Sequence, residues 1–167
     1  MTYNIIYSSR TGNTALLAKT IAQALPAQDC QYTGSPGDKI PEAELFLIGF
    51  WTDKGTCDEQ TAQLLSTLKN QKIFLFGTAG FGGSNEYYSR ILSRVKELLD
   101  PTCEVVGSYM CQGKMPDVVR QRYEAMLAQD PQDKKIQAML ENFQRALSHP
   151  DAQDLQKLTQ IIDTLNN

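Results

Sequence analysis

A chain of 167 residues, 41% apolar and 21% charged, has room for one ordinary globular core and not for two. Its net charge of −3 argues against nucleic acid as the main partner, because phosphate contacts need clustered Lys and Arg. Residues 1–7 carry no basic leader and too short an apolar run for a secretory signal, and no stretch approaches a membrane span, so a cytoplasmic protein with no membrane partner is expected. The four cysteines, Cys30, Cys57, Cys103 and Cys111, show neither a CxxC pair nor metal-ligand spacing, which fits reduced thiols.

Residues 3–7 read as a short buried strand that runs into the hydroxyl-rich turn Ser8-Ser9-Arg10-Thr11-Gly12-Asn13-Thr14. Leu17, Ile21 and Leu25 then recur every four residues, the stripe of an amphipathic helix, and Pro26 stops it. Residues 30–33 form a weak second strand, with a short helix plausible in the link that follows. Residues 45–50 are an unbroken apolar run, as expected for a strand buried on both faces of a parallel sheet. A loop over Trp51, Thr52, Asp53, Lys54, Gly55 and Thr56 leads to a helix starting near Asp58, with Leu64, Leu65 and Leu68 inward.

Residues 72–76 are the fourth strand, and the glycines of 77–84 predict a loop. Ser84 is placed to cap a helix whose buried side is Tyr88, Ile91, Leu92, Val95 and Leu99. Residues 104–110 are the fifth strand. Pro116 opens a helix with Val119, Tyr123 and Met126 in register. Asp130 and Pro131 start another, and Pro150 and Asp151 start the last, with Leu155, Leu158, Ile162 and Leu165 inward. This rhythm predicts an α/β fold, a doubly wound five-stranded parallel sheet of order 2-1-3-4-5 with extra C-terminal helices, in one domain over 1–167.

The turn after the first strand carries the chemistry. Amides at a helix start point outward unpaired, the helix dipole favours an anion there, and Ser9, Thr11, Thr14 and Asn13 add neutral donors beside Gly12. Ligands of open α/β sheets bind at this switch point. Two readings fit the spacing: a phosphate site, or a polar turn that merely caps a helix.

The stretch Ser9-Arg10-Thr11-Gly12-Asn13-Thr14 resembles the T/S-x-T-G-x-T phosphate loop of the flavodoxins, and the resemblance extends over roughly residues 2–110. It implies bound FMN, with the Ser9, Thr11 and Thr14 hydroxyls and the amides from Arg10 to Thr14 around the phosphate. It also implies two loops about the isoalloxazine ring. The first, over 50–57, offers Phe50, Trp51, Thr52, Lys54 and Gly55. Trp51 is the candidate for stacking on the ring. Gly55 suits a peptide flip near flavin N5. Lys54 is either a cation beside the reduced flavin or a solvated turn lysine. The second loop offers Thr78, Ala79, Gly80, Phe81 and Gly82, with Tyr87 a further aromatic; the usual Tyr and acidic residue are missing from it.

Residues 111–150 depart from the family pattern as a helical insertion before the last helix. Cys111, Gln112, Gly113, Lys114 and Met115 lie at the end of the fifth strand, as part of the ring site or as a connector, with Gln112 the favoured contact. Met110, Met115, Met126 and Met139 read as core filler, Asp133 as helix-start electrostatics, and His149 as a surface loop residue without partners. The function expected is an FMN electron carrier between a reductase and an electron acceptor. The alternative is an NAD(P)H-dependent flavin or quinone reductase, although the G-S-x-R-x-x-S loop of such enzymes is absent. Two further classes are an accessory partner of one reductase and a fold that has lost its cofactor, the intact turn counting against the last.

Overall fold

A computed structural model of the chain describes residues 1–37 and 39–165. Five parallel strands lie in the order β2-β1-β3-β5-β6: β1 (Tyr3–Tyr7), β2 (Cys30–Gly34), β3 (Leu45–Asp53), β5 (Lys72–Ala79) and β6 (Glu104–Gln112). The two-residue β4 (Thr56–Cys57) pairs antiparallel with the end of β3. Leaving out β4, the order is the 2-1-3-4-5 expected from the sequence. The central strands β3 and β5 are apolar on both faces because both faces are covered.

On one face α1 (Asn13–Ala24) and α6 (Ala152–Leu165) bury Leu17, Ile21, Leu158 and Ile162 against Ile5, Leu47, Phe74 and Phe76. On the other, α2 (Glu59–Thr67) and α3 (Asn85–Lys96) bury Leu65, Ile91 and Val95 against Ile6, Ile48, Phe50 and Leu75. The remaining helices, α4 (Asp117–Gln129) and α5 (Lys134–Ala146), pack against each other. Expected caps are in place: Asp58 accepts from Thr61 N–H, and Ser84 from Tyr87 N–H.

Several sequence expectations are corrected. No helix follows β2 among the described residues; the chain reaches β3 through an irregular link. Strands three, four and five run on to Asp53, Ala79 and Gln112, because each finds a paired neighbour there: Trp51 opposite Thr78, Thr78 opposite Cys111, and Ala79 opposite Gln112. Backbone pairing on both sides outweighs the weak strand preference of Gly77. α5 starts at Lys134, three residues beyond Pro131, capped by Asp133, whose Oδ1 accepts from the Lys135 and Ile136 amides. Met126 is exposed rather than core.

Candidate functional site

The switch point lies where the chain leaves β1 between β2 and β3. There the turn enters α1 through Gly12, which sits at the N-cap with φ +88°, a backbone conformation that favours glycine. Gly12 has no side chain with which to cap. Ser9 supplies the cap instead, its Oγ accepting from Ala15 N–H at 3.2 Å. The Gly12, Asn13 and Thr14 amides are left without intrahelical acceptors by helix geometry, at the positive end of the dipole.

Beside this turn opens a cleft of about 310 Å³, at the small end of the ligand-site range. Its walls are Arg10, Thr11 and Asn13 from the turn, then Trp51, Thr52, Asp53, Lys54 and Gly55. Thr78, Ala79, Gly80, Phe81 and Tyr87 form the third side. A fourth side, Gly113, Lys114, Met115, Pro116 and Val119, comes from beyond β6.

The wall expected as a loop over 50–57 is a β-hairpin. Thr52 pairs with Cys57 and Asp53 with Thr56 across a two-residue tip in which Lys54 and Gly55 both have positive φ, +51° and +83°. Two such residues match the tight hairpin turn favoured by the twist of the strands. Arg94 of α3 braces the tip by donating from Nη1 to Gly55 O at 3.1 Å, and a side chain at position 55 would collide with that guanidinium. Trp51 is half-buried, and the Arg10 guanidinium lies 5.4 Å from its ring centre, a cation–π contact. Tyr87 is half-buried as well; burial raises its phenol, while Arg90 and Arg94 pull it the other way.

Five of the residues that the resemblance pointed to do not line the cleft. The Thr14 hydroxyl is fully buried and donates to Phe50 O at 3.1 Å, so its partner Thr78 Oγ1, also at 3.1 Å, must donate to it. Phe50 is a core residue with no exposure, and its ring packs under the sheet. Ser9 and Gly12 shape the turn without lining the cleft, and Gly82 packs against Tyr88 and Gln112 rather than facing it. Arg10, Thr11, Asn13, Trp51, Thr52, Lys54, Gly55, Thr78, Ala79, Gly80 and Phe81 are brought together as expected.

Gln112 is likewise not a cleft residue. Its Nε2 donates to Gly80 O at 2.9 Å and to Asn142 Oδ1 at 3.1 Å, and Asn142 Nδ2 also donates to Gly80 O. This half-buried amide network ties α5 to the loop after β5. The cleft wall is made by the next residues: Gly113 N–H donates to Ala79 O, Lys114 N–H to His149 O, and Lys114 O accepts from Asn13 Nδ2 at 2.8 Å and Thr11 Oγ1 at 3.4 Å. Position after the fifth strand was the sequence signal for this wall. Nothing in it singled out Lys114, Met115 or Val119, and Asp53 was read only as part of a loop.

His149, read as a partnerless surface residue, has partners. Its Nδ1 lies 2.6 Å from Asp154 Oδ2, with Asp151 Oδ2 at 3.8 Å. The Asp151 and Asp154 carboxylates also accept each other's backbone N–H groups, so the cluster is the cap of α6.

The family model of the flavodoxin domain matches residues 4–163. The chain is 39% identical to a flavodoxin-like domain-containing protein, BilS, of Clostridium symbiosum, over 93% of this chain and 90% of that one. It is 32% identical to the BilS of Clostridioides difficile, over 90% and 88%. Oxidised flavodoxin 2 of Bacillus cereus superposes over the whole of both chains with a TM-score of 0.62 at 15% identity. A flavoprotein of Lactobacillus acidophilus solved in complex with FMN gives 0.51 at 19%, over 65% of this chain and 92% of that one; at such identities these likenesses speak for the fold.

Proposed function

The chain belongs to the flavodoxin domain family, and from that premise we propose that it holds FMN in the cleft and carries electrons between larger redox proteins. The observation that carries this reading is the union, at one switch point, of a glycine-entered helix N-terminus and a cleft with aromatic walls. The lining suits the group. Turn amides at the start of α1 would favour an anion, Trp51 and Tyr87 line the cleft with aromatic rings, and Gly80 and Gly113 line it with backbone. Thr52 Oγ1 is a buried hydroxyl with no partner among the described residues, on the same wall, and a bound polar ligand would relieve it.

FMN, when bound, supplies reversible uptake of electrons; the chain supplies binding, orientation and local charge. No residue of the cleft is arranged as an acid–base pair or an activated nucleophile. His149 is engaged with Asp154, and Cys57 and Cys111 are buried thiols whose pKa values burial raises. A carrier needs neither. Among the described residues no helix is long and apolar enough to cross a membrane.

A visible spectrum of the purified protein, before and after FMN addition, tests the reading. A yellow, stoichiometric complex that NAD(P)H alone leaves oxidised is expected. A colourless protein that takes up no FMN would refute it. Rapid bleaching by NAD(P)H without a partner would replace the carrier with a reductase.

A further inference from the structure

Charge is spread unevenly over this chain. The cleft lining, together with the two helices α3 and α4 that supply Tyr87 and Val119 to it, carries eight Lys and Arg against four Asp and Glu. The rest of the chain holds the other eight cations and fifteen acids. A protein of net charge −3 therefore has one face with an excess of four positive charges and a body with an excess of seven negative ones. A phosphate monoester in the cleft, with close to two negative charges at neutral pH, halves the positive excess and leaves its sign unchanged.

The cations of this face are exposed, and most are unspent. Arg10, Lys54 and Lys114 line the cleft, Arg94 braces the hairpin tip, and none of the four pairs with a carboxylate among the described residues. Two of the four acids are engaged instead: Arg120 pairs with Asp117 at 2.7 Å and with Glu124 at 3.6 Å. The same face carries exposed apolar groups. Phe81 on the cleft wall is 41% exposed, and on α4 Val118 and Met126 are 52% and 42% exposed. Steps of four residues put Val118, Arg122 and Met126 on one outward stripe of α4, a helix that buries Tyr123 alone. Exposed Phe, Met and Arg side by side are what interfaces concentrate, and a solvated helix face does not need them. A polyanion longer than this face would meet the negative body beyond it, whereas a protein can confine its carboxylates to a matching area.

We infer that the cleft mouth and the outer stripe of α4 form one docking surface, for a partner protein that presents carboxylates around an apolar centre. The inference rests on the carrier reading of the cleft and adds to it the chemistry of the partner's face. The separation of charge turns the cleft, and not the negative body, toward such a partner during encounter. Phe81, Val118 and Met126 then supply apolar contact once the faces meet. The helical addition thereby gains a role, because α4 continues the fourth wall of the cleft outward from Pro116 and Val119.

The test is a calorimetric titration of the FMN-loaded protein with two c-type cytochromes, one with carboxylates around its haem edge and one with lysines there. The acidic cytochrome should bind the tighter, and its affinity should fall as salt is raised. Arg122→Glu and Met126→Asp, both outside the cleft, should each weaken that binding about three- to tenfold and leave FMN affinity unchanged. Lys19→Glu, an exposed change on α1, should leave both alone. Equal affinity for the two cytochromes, a preference for the basic one, or binding that ignores the α4 substitutions would overturn the inference. So would tighter binding to phosphatidylglycerol vesicles than to the acidic cytochrome at about 0.15 M salt, which would make the face a membrane contact. Failure of the carrier reading shows separately, as a protein that takes up no FMN, and would overturn the inference with it.

Discussion

Replacing Thr14 by Val separates two roles that a sequence pattern merges. The hydroxyl is fully buried, donates to Phe50 O at 3.1 Å and accepts from Thr78 Oγ1 at 3.1 Å, where Thr78 is itself only 3% exposed. Val keeps the shape and removes both bonds. Each neutral bond is worth about 1 kcal/mol, and the Thr78 hydroxyl left without an acceptor adds about 1–3 kcal/mol of desolvation. Extra apolar burial returns about 1 kcal/mol. The expected net loss is about 2–4 kcal/mol, which for a domain of this size lowers the melting temperature by roughly 2–4 °C per kcal/mol. Urea unfolding of the apoprotein measures it, with an unchanged m-value as the sign that stability alone has moved. The double variant Thr14→Val with Thr78→Val removes the orphaned hydroxyl, so its cost should fall below the sum of the single costs by about 1 kcal/mol. Thr11→Val is the contrasting case. Its hydroxyl donates to Lys114 O through a long, exposed bond of 3.4 Å, so losing it should lower the unfolding midpoint only slightly; turned to the phosphate, the same hydroxyl makes a charge-assisted bond whose loss should weaken FMN binding by about 1–3 kcal/mol. If Thr14→Val left stability untouched and instead cut FMN affinity, the inward assignment of its hydroxyl would be wrong.

Trp51 is the chain's one tryptophan, so FMN binding should quench most of its fluorescence, and Trp51→Leu should weaken FMN and riboflavin alike by about 0.5–1.5 kcal/mol, as read in a flavin-fluorescence titration. Burial pushes the Cys57 thiol up to about 11 and raises that of Cys111 too, so at mildly alkaline pH a disulfide reagent should modify Cys30 and Cys103 first and reach these two only on unfolding. Asn142→Leu cuts one of the two amide links to Gly80 O, and should speed hydrogen exchange at residues 80–83 and 113–116 ahead of the rest of the sheet. The Asp100 carboxyl is held below 3.8 by the hydroxyl and amide of Thr102, and that of Asp151 by the Asp154 amide. A depressed carboxyl stabilises the fold above its unfolded value, and loses that contribution as pH falls through the folded one; the melting temperature should therefore drop in the acid range below about pH 4.

What the sequence made legible was what neighbouring residues decide among themselves. The turn before α1 is contiguous and needs a glycine at one place, so its residue types stood out, although spacing alone left a phosphate site and a plain helix cap both open. Helix starts at Asp58 and Ser84 were legible for the same reason, each cap reaching an amide three residues on. The direction in which Thr14 points was not, because it is set by Phe50 and Thr78 on strands far along the chain. Strand ends failed likewise: Trp51, Thr52 and Asp53 read as loop by composition, and become strand because Thr78, Thr56 and Cys57 stand opposite them.

The fourth wall of the cleft shows how this locality limits reading from sequence. Lys114 is tied to Asn13 across 101 positions, by a bond that uses its carbonyl and so leaves no mark on its residue type. Gln112 was the favoured contact because an amide suits a flavin edge. The same amide suits the Gly80 carbonyl and Asn142 equally well, and buried donors go to the acceptor that folding brings. Displacing Gln112 from the site does not empty that side of the cleft, since Gln112 fixes the strand end from which Gly113 and Lys114 turn toward the phosphate loop. The helical pair after β6 is thereby coupled to the site through backbone position, and a substitution in α5 should be felt at the turn before α1 without either residue touching the ligand.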